Sequence, residues 1–138
     1  MRILSMLAVS SLSLAAFGCT VTTSPDPVPG QPVDTQGSVE IDWTINRRTD
    51  PSACNQSVAA SIIVDIFDSS GRALDSYEAP CGAFATTIPL YSGTYTANAT
   101  LVDGAGQSRT TTVSIAPFSV RGGTVIQVPI DFPASSFF

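Results

Sequence analysis

The stretch "VEIDWTIN", residues 39 to 46, decides the fold class. Apolar and polar residues alternate through it without a break, and the apolar ones are Val39, Ile41, Trp43 and Ile45. Because successive side chains of a strand point to opposite faces, this period of two predicts a β-strand with one buried and one wet face. Such a strand is typical of an antiparallel sheet, and we expect Trp43 in the core rather than on a ligand surface.

Similar runs, separated by turn residues, fill the chain up to residue 133. Turn chemistry stands between them, for example Ser-Ser-Gly at 69–71 and Asp-Gly-Ala-Gly at 103–106. Together with the first strand, the runs predict an all-β, two-sheet antiparallel sandwich of about seven strands over residues 37–133. The further predicted strands are 61–68, 73–79, 84–90, 95–101, 109–115 and 125–132, with loops at 47–58 and 117–123.

The hairpin "GTYTANATLVDGAGQSRTTTV", residues 93–113, resembles bacterial immunoglobulin-like sandwich modules. The resemblance implies an immunoglobulin-like arrangement of the two sheets. Tyr95 is then expected to bury its ring and to bond its hydroxyl to nearby backbone, as in a tyrosine corner. The apolar tail at 134–138 is expected to dock on the domain.

Residues 1–18 read as an export signal. Arg2 supplies a positive start, and an uncharged apolar run over 3–17 follows it, ending at the small Gly18. The run is shorter than the roughly 20 residues that a helix needs to span a bilayer core. The segment is therefore interpreted as a cleaved signal rather than a transmembrane helix.

The four residues "AFGC", 16–19, resemble the lipobox of bacterial lipoprotein precursors. This resemblance implies cleavage before Cys19 and a diacylglyceryl group on its sulfur, so that the membrane is a partner through the lipid anchor. Thr20 follows the cysteine where inner-membrane retention typically uses Asp, which favours the outer membrane. The alternative is an ordinary secretory signal with an incidental cysteine at this position.

Residues 19–36 then form the lipidated cysteine and a proline-rich tether, with Pro25, Pro27, Pro29 and Pro32. A tract of this composition does not build a core and tends toward extended polyproline conformation, near 3.1 Å per residue. We expect it to hold the folded domain up to about 50 Å from the lipid surface.

With Cys19 assigned to lipid, the other two cysteines are expected to pair in an oxidising compartment. A bond between Cys54 and Cys81 closes a loop of about 27 residues. The chain-entropy model gives roughly 3.5 kcal/mol for such a loop. The bond would clamp the open end of the hairpin made by the second and third strands.

The composition excludes several function classes. The net charge is −5 and the chain contains neither His nor Lys. A Ser-His-Asp triad and a Schiff-base lysine are thus excluded, and an acidic chain offers no electrostatic footprint for nucleic acid. We therefore expect no enzyme, no cofactor and no nucleic-acid partner.

Two groups of residues are candidates for binding. Tyr91 lies in a predicted turn and is expected to be exposed, and Arg47 and Arg48 could contact an anionic group; together they form the predicted binding surface. Carboxylates on or near one hairpin are weak calcium candidates, because Ca²⁺ prefers oxygen ligands from flexible loops. These candidates are Asp65, Asp68 and Asp75. Turn chemistry and a solvated strand face are the preferred explanation of these residues, so no metal is predicted.

These observations favour a non-catalytic, lipid-anchored protein of the cell envelope that acts as a protein-binding or assembly module. The expected partner is another envelope protein, held at an exposed sheet edge or at the candidate loops. The alternative is a carbohydrate-binding or calcium-dependent adhesion module.

Overall fold

The computed structural model describes residues 35–138. The predicted signal segment, Cys19 and nearly all of the tether lie outside the described residues. Within the described part no helix is long and apolar enough to cross a lipid bilayer. The domain is an all-β sandwich, as predicted, and its strands are β1 (Gln36–Ile45), β2 (Ser61–Asp68), β3 (Ala73–Pro80), β4 (Ala85–Tyr91), β5 (Gly93–Val102), β6 (Val113–Val120) and β7 (Val125–Phe132).

The strands divide into a three-stranded sheet, in the order β4-β1-β7, and a four-stranded sheet, in the order β3-β2-β5-β6. All neighbours run antiparallel except β1 and β7, which are parallel. A hairpin forces antiparallel pairing, whereas strands joined by a long crossover can run parallel. The division also differs from the constant-type immunoglobulin order, where the first, second, fourth and fifth strands share a sheet.

Trp43 lies in the core, as predicted, with 1% of its surface exposed. Its indole Nε1 donates a hydrogen bond to the carbonyl oxygen of Cys81 at 2.9 Å. Its ring centroid lies 6.4 Å from that of Phe84. The largest side chain of the core is therefore tied to the segment that follows β3.

The predicted disulfide between Cys54 and Cys81 is confirmed. Cys54 belongs to a short helix α1 (Pro51–Gln56) before β2, and Cys81 opens a 3₁₀ turn after β3. The bond therefore spans the open end of the β2–β3 hairpin, as expected. The helix itself departs from the predicted loop at 47–58, because one and a half turns are too short to show a helical period.

The sixth strand lies further along the chain than predicted: it spans Val113–Val120 instead of 109–115. The buried Thr110 explains the difference, because its Oγ1 accepts a hydrogen bond from the Leu101 amide at 3.1 Å in place of a regular ladder bond. Thr110 also forms an isolated bridge with Phe137, and Phe137 packs on the core. The C-terminal tail therefore docks, as predicted.

Candidate functional site

The strand register defines two ends of the sandwich. Gln36 lies opposite Tyr91 at the end that we call the N-terminal end. The other end, called the disulfide end, holds the turn after Ile45, helix α1 and the disulfide. The ten residues of β1 separate the two ends by about 30 Å at roughly 3.3 Å per residue.

The predicted binding surface is therefore not one surface. Arg47 and Arg48 follow β1 at the disulfide end, and Tyr91 lies at the N-terminal end. The sequence pattern did not show this separation, because it depends on which strands pair.

Arg47 and Arg48 lie in a tight turn. Ile45 and Arg48 exchange two backbone hydrogen bonds of 3.0 Å, and positive φ angles at Asn46 (52°) and Arg47 (60°) are those of a type I′ turn. The Arg47 amide donates to Asp131 Oδ1 at 2.8 Å. Both arginines are exposed at the tip of a well-anchored loop.

Tyr91 is exposed, as predicted, with 68% of its surface accessible. Register and strand alternation place it on the outer face of the three-stranded sheet, together with Pro89 and Val125. Pro89 pairs with Ser38 from one side, and Val125 pairs with Ser38 from the other. Val125 is 58% exposed. We call Pro89, Tyr91 and Val125 the N-terminal patch, a group of exposed apolar and aromatic side chains on this face.

A cleft of about 270 Å³ opens at the disulfide end. Four separate segments build it: the turn after β1, the end of α1, the chain before β6 and the tail. We call it the disulfide-end cleft, and its lining residues are Asn46, Gln56, Ser57, Arg109, Ala134, Phe137 and Phe138. Sequence reasoning missed this site, because no local motif joins residues so far apart in the chain.

The weak calcium candidates do not form a ligand set. Asp65 pairs with Ser76, whereas Asp75 pairs with the inward-facing Ile66, so the two carboxylates belong to opposite faces of the sheet. Within residues 35–138 no three Asp, Glu, His or Cys side chains come close enough to hold a metal ion.

Asp68 is occupied by its own turn. Its carboxylate accepts hydrogen bonds from the Ser70 hydroxyl and from the amides of Ser70 and Arg72, and it pairs with the Arg72 guanidinium at 3.1 Å. The Ser70 hydroxyl, followed by the backbone bond from Arg72, holds the pKa of Asp68 below its usual value. This is the turn chemistry that the sequence offered as the alternative.

Two other groups have shifted pKa values with structural causes. Backbone and side-chain hydrogen bonds from Ser52 lower the pKa of Asp50, which caps the N-terminus of α1. Burial, followed by the nearby charge of Asp75, raises the pKa of the Tyr77 hydroxyl. Both shifts belong to local folding and not to a reactive centre.

The edges of the three-stranded sheet each contain a proline. The Trp43 amide donates to the carbonyl oxygen of Phe84, the residue just before β4. Backbone N–H groups along an antiparallel strand point alternately toward and away from its neighbour. Pro89 is five residues after Phe84, so its missing N–H faces the free edge. At the other edge, the Ser38 amide donates to the carbonyl oxygen of Thr124, the residue just before β7. Pro129 is five residues further along, so the side of its backbone that lacks an N–H also faces away from β1.

The four-stranded sheet repeats this arrangement. The Cys81 amide donates to Ala60 at the end of β3, so the neighbouring Pro80 faces outward. Pro117 of β6 lies in the irregularity between the pairs Tyr95–Phe118 and Ala97–Ile115. All four edge strands therefore contain a proline that removes one backbone donor, a device that disfavours strand addition.

Comparison with known proteins shows a distant likeness to three bacterial structures. No family model matches this chain, and no curated protein sequence matches it. A leucine-rich repeat protein from Bacteroides thetaiotaomicron superimposes with a TM-score of 0.48 at 16% identity, over 72% of this chain and 12% of that one. The Bacillus anthracis TIE protein superimposes with a TM-score of 0.47 at 13% identity, over 70% of this chain and 16% of that one.

A candidate polysaccharide-binding protein from Bacteroides thetaiotaomicron gives a TM-score of 0.43 at 9% identity, over 67% of this chain and 46% of that one. The chain thus spans less than half the length of each of the three structures.

Proposed function

We propose that this chain is a non-catalytic binding module of the bacterial cell envelope, held by a lipid on Cys19 at the outer membrane. The lipobox-like residues and the proline-rich tract support the anchor. The first strand, β1, begins at Gln36, where the predicted tether ends. In this arrangement the tether leads into the domain at its N-terminal end, where β1 begins.

The observation that supports binding most directly is the set of polar side chains in the disulfide-end cleft. Asn46, Gln56 and Arg109 meet there, and their terminal amide and guanidinium nitrogens have no partner among the described residues. No buried side-chain nitrogen or oxygen in residues 35–138 lacks a hydrogen bond, so these cleft groups are in contact with solvent, where a ligand can reach them. Concave sites with a few convergent polar groups are typical of ligand binding.

Site-directed photocrosslinking in intact cells tests this function. A photoreactive residue at Arg48 samples the disulfide end, and one at Thr124 samples the N-terminal end. We expect adducts from position 48 that disappear when Cys19→Ser releases the protein from the membrane. Adducts from position 124 alone, or from neither position, would contradict a ligand at the disulfide end.

A protein partner on the N-terminal patch is the second candidate function. It rests on the exposure of Tyr91 and Val125 on one outer face. Strand addition, the first mode expected for a protein partner, is disfavoured by the edge prolines. A Tyr91→Ser variant separates the two functions: it should abolish a patch-bound partner and leave a cleft-bound ligand unaffected.

A further inference from the structure

Arg109 lines the disulfide-end cleft and forms no ion pair with another residue of the described part. Its main chain is fixed, because its amide donates to Leu101 at 2.7 Å and its carbonyl accepts from Phe138 at 3.2 Å. Its Nε donates to the Ser57 carbonyl at 3.4 Å. Among residues 35–138 the one ion pair joins Arg72 to Asp68, so the two terminal nitrogens of Arg109 are available to a ligand.

A guanidinium with two available terminal nitrogens recognises a planar anion. Its N–H donors match the two oxygens of a carboxylate, and charge-assisted bonds of this kind are about twice as strong as neutral ones. Partial burial strengthens the bond further, because the Arg109 side chain is partly shielded from water. The cleft therefore has one strong preference, for a carboxylate at Arg109.

The rest of the cleft suits hydroxyl groups and a flat apolar surface. The side-chain amides of Asn46 and Gln56 both donate and accept hydrogen bonds, as hydroxyl partners require. Phe137 is half-buried, and Phe138 has 77% of its surface exposed. A ligand that fits carries a carboxylate, several hydroxyls and an apolar ring face, and is small enough for a cleft of about 270 Å³.

We propose that the disulfide-end cleft binds a sugar that carries a carboxylate, within an acidic polysaccharide. This inference rests on the proposed function, since it names the ligand class of the same site. An acidic peptide also offers carboxylates, and its backbone could pair with the two amides, but ordering its flexible side chains costs more conformational entropy than binding a rigid sugar ring. A neutral sugar would leave the Arg109 charge without its counterpart.

Binding measurements on the full lipidated chain in detergent test the ligand class. The probes are a trimer of galacturonic acid, the matching neutral trimer of galactose and a triglutamate peptide. We expect the uronate trimer to bind at millimolar concentration, more weakly as salt rises, with the neutral trimer and the peptide inactive. Chemical shifts or Trp43 fluorescence report binding, and the melting temperature reports folding.

The decisive variant is Arg109→Gln, with Arg121→Gln as its matched control at the N-terminal end. Loss of a charge-assisted hydrogen bond should weaken uronate binding by about tenfold or more. The control should bind as the native chain does. Arg109→Lys serves where Arg109→Gln fails to fold: it keeps the charge without the planar fork and should bind at an intermediate level.

Three results would overturn the proposal: no uronate binding, equal binding by the native chain and Arg109→Gln, or binding of the peptide in preference to the uronate. Each of them leaves the proposed function separately testable, because crosslinking at position 48 does not depend on the ligand class. Crosslinks at position 48 without uronate binding would contradict the acidic sugar as ligand, but would still support a binding function at the disulfide end.

Discussion

Gly37 shows how a single side chain is excluded by a neighbouring loop. A Cβ at this position would lie 2.2 Å from the Arg121 carbonyl oxygen and 2.9 Å from that of Thr124. These contacts are with backbone, so no side chain can move aside. The loop between β6 and β7 can therefore pack this closely on β1 only because residue 37 is a glycine.

Replacing Gly37 with Ala is expected to destabilise the domain by about 1–3 kcal/mol, the usual cost of overpacking. Denaturant unfolding followed by Trp43 fluorescence measures it. The control is Gly104→Ala, because a Cβ at Gly104 meets nothing within 4 Å. Equal stability of the two variants would show that the loop does not pack on Gly37.

Val58 occupies a position that helices usually give to glycine. Its amide donates to Asn55 and the following Ala59 amide donates to Cys54, the two bonds of a Schellman motif at the end of α1. The motif requires a left-handed residue, and Val58 has φ of 56° with 60% of its side chain exposed.

Val58→Gly is therefore expected to stabilise the chain. The left-handed conformation costs an L-residue about 1–2 kcal/mol, and a freer unfolded chain takes back about 0.4–1 kcal/mol. The melting temperature should rise, whereas Val125→Gly, at an equally exposed strand position, should lower it. A fall in both variants would contradict the strain at Val58.

At the level of elements, the β2–β3 hairpin combines a turn carboxylate with a half-buried tyrosine. The lowered pKa of Asp68 means that its contribution to stability is present above its unfolded value of 3.8 and is lost as the pH falls through the folded value. The raised pKa of Tyr77 acts at the other limit: its contribution is present below its unfolded value of 10.0 and is lost as the pH rises through the folded value.

Asp68→Asn should remove the acid dependence that this turn contributes. Melting temperatures of the native chain and the variant, measured from pH 7 down to pH 2, should converge as Asp68 becomes protonated in the native chain. A constant difference across this range would mean that the Asp68 charge does not stabilise the turn.

The edge strands share one device, a proline that removes a backbone N–H. A Pro-to-Thr change at Pro80, Pro89, Pro117 and Pro129 together should restore four backbone donors on these strands and allow edge-to-edge pairing. Size-exclusion chromatography over a range of concentrations should show association of this variant and a monomeric native chain. Pro133→Thr, outside the strands, is the control, and a monomeric fourfold variant would show that the prolines do not protect the edges.

At the scale of the whole molecule, alternation and turn residues predicted the sandwich, because the period of two in β1 and the turns around it are local signals. They also predicted the buried Trp43 and the disulfide. Local signals do not predict strand order, because the parallel pairing of β1 and β7 joins the first and the last strand of the sequence. Prolines within the predicted strands were an available sign of edge strands.

The candidate site was less accessible to sequence reasoning than the fold. Arg47 and Tyr91 stood out as single residues, but the register of β1 with β4 places them at opposite ends. Arg109 and Gln56 drew no attention, since nothing in their immediate neighbours marks them. Their convergence depends on a helix too short for its period to show and on a tail that docks beside Thr110.

In the proposed function the three cysteines serve two tasks, an anchor outside the sandwich and a covalent clamp within it. Mass spectrometry of the protein purified from bacterial membranes tests both at once. We expect an amino terminus at Cys19 bearing acyl chains, and a peptide pair joined through Cys54 and Cys81. A mature protein that begins elsewhere without lipid, or that has free thiols at positions 54 and 81, would contradict this assignment.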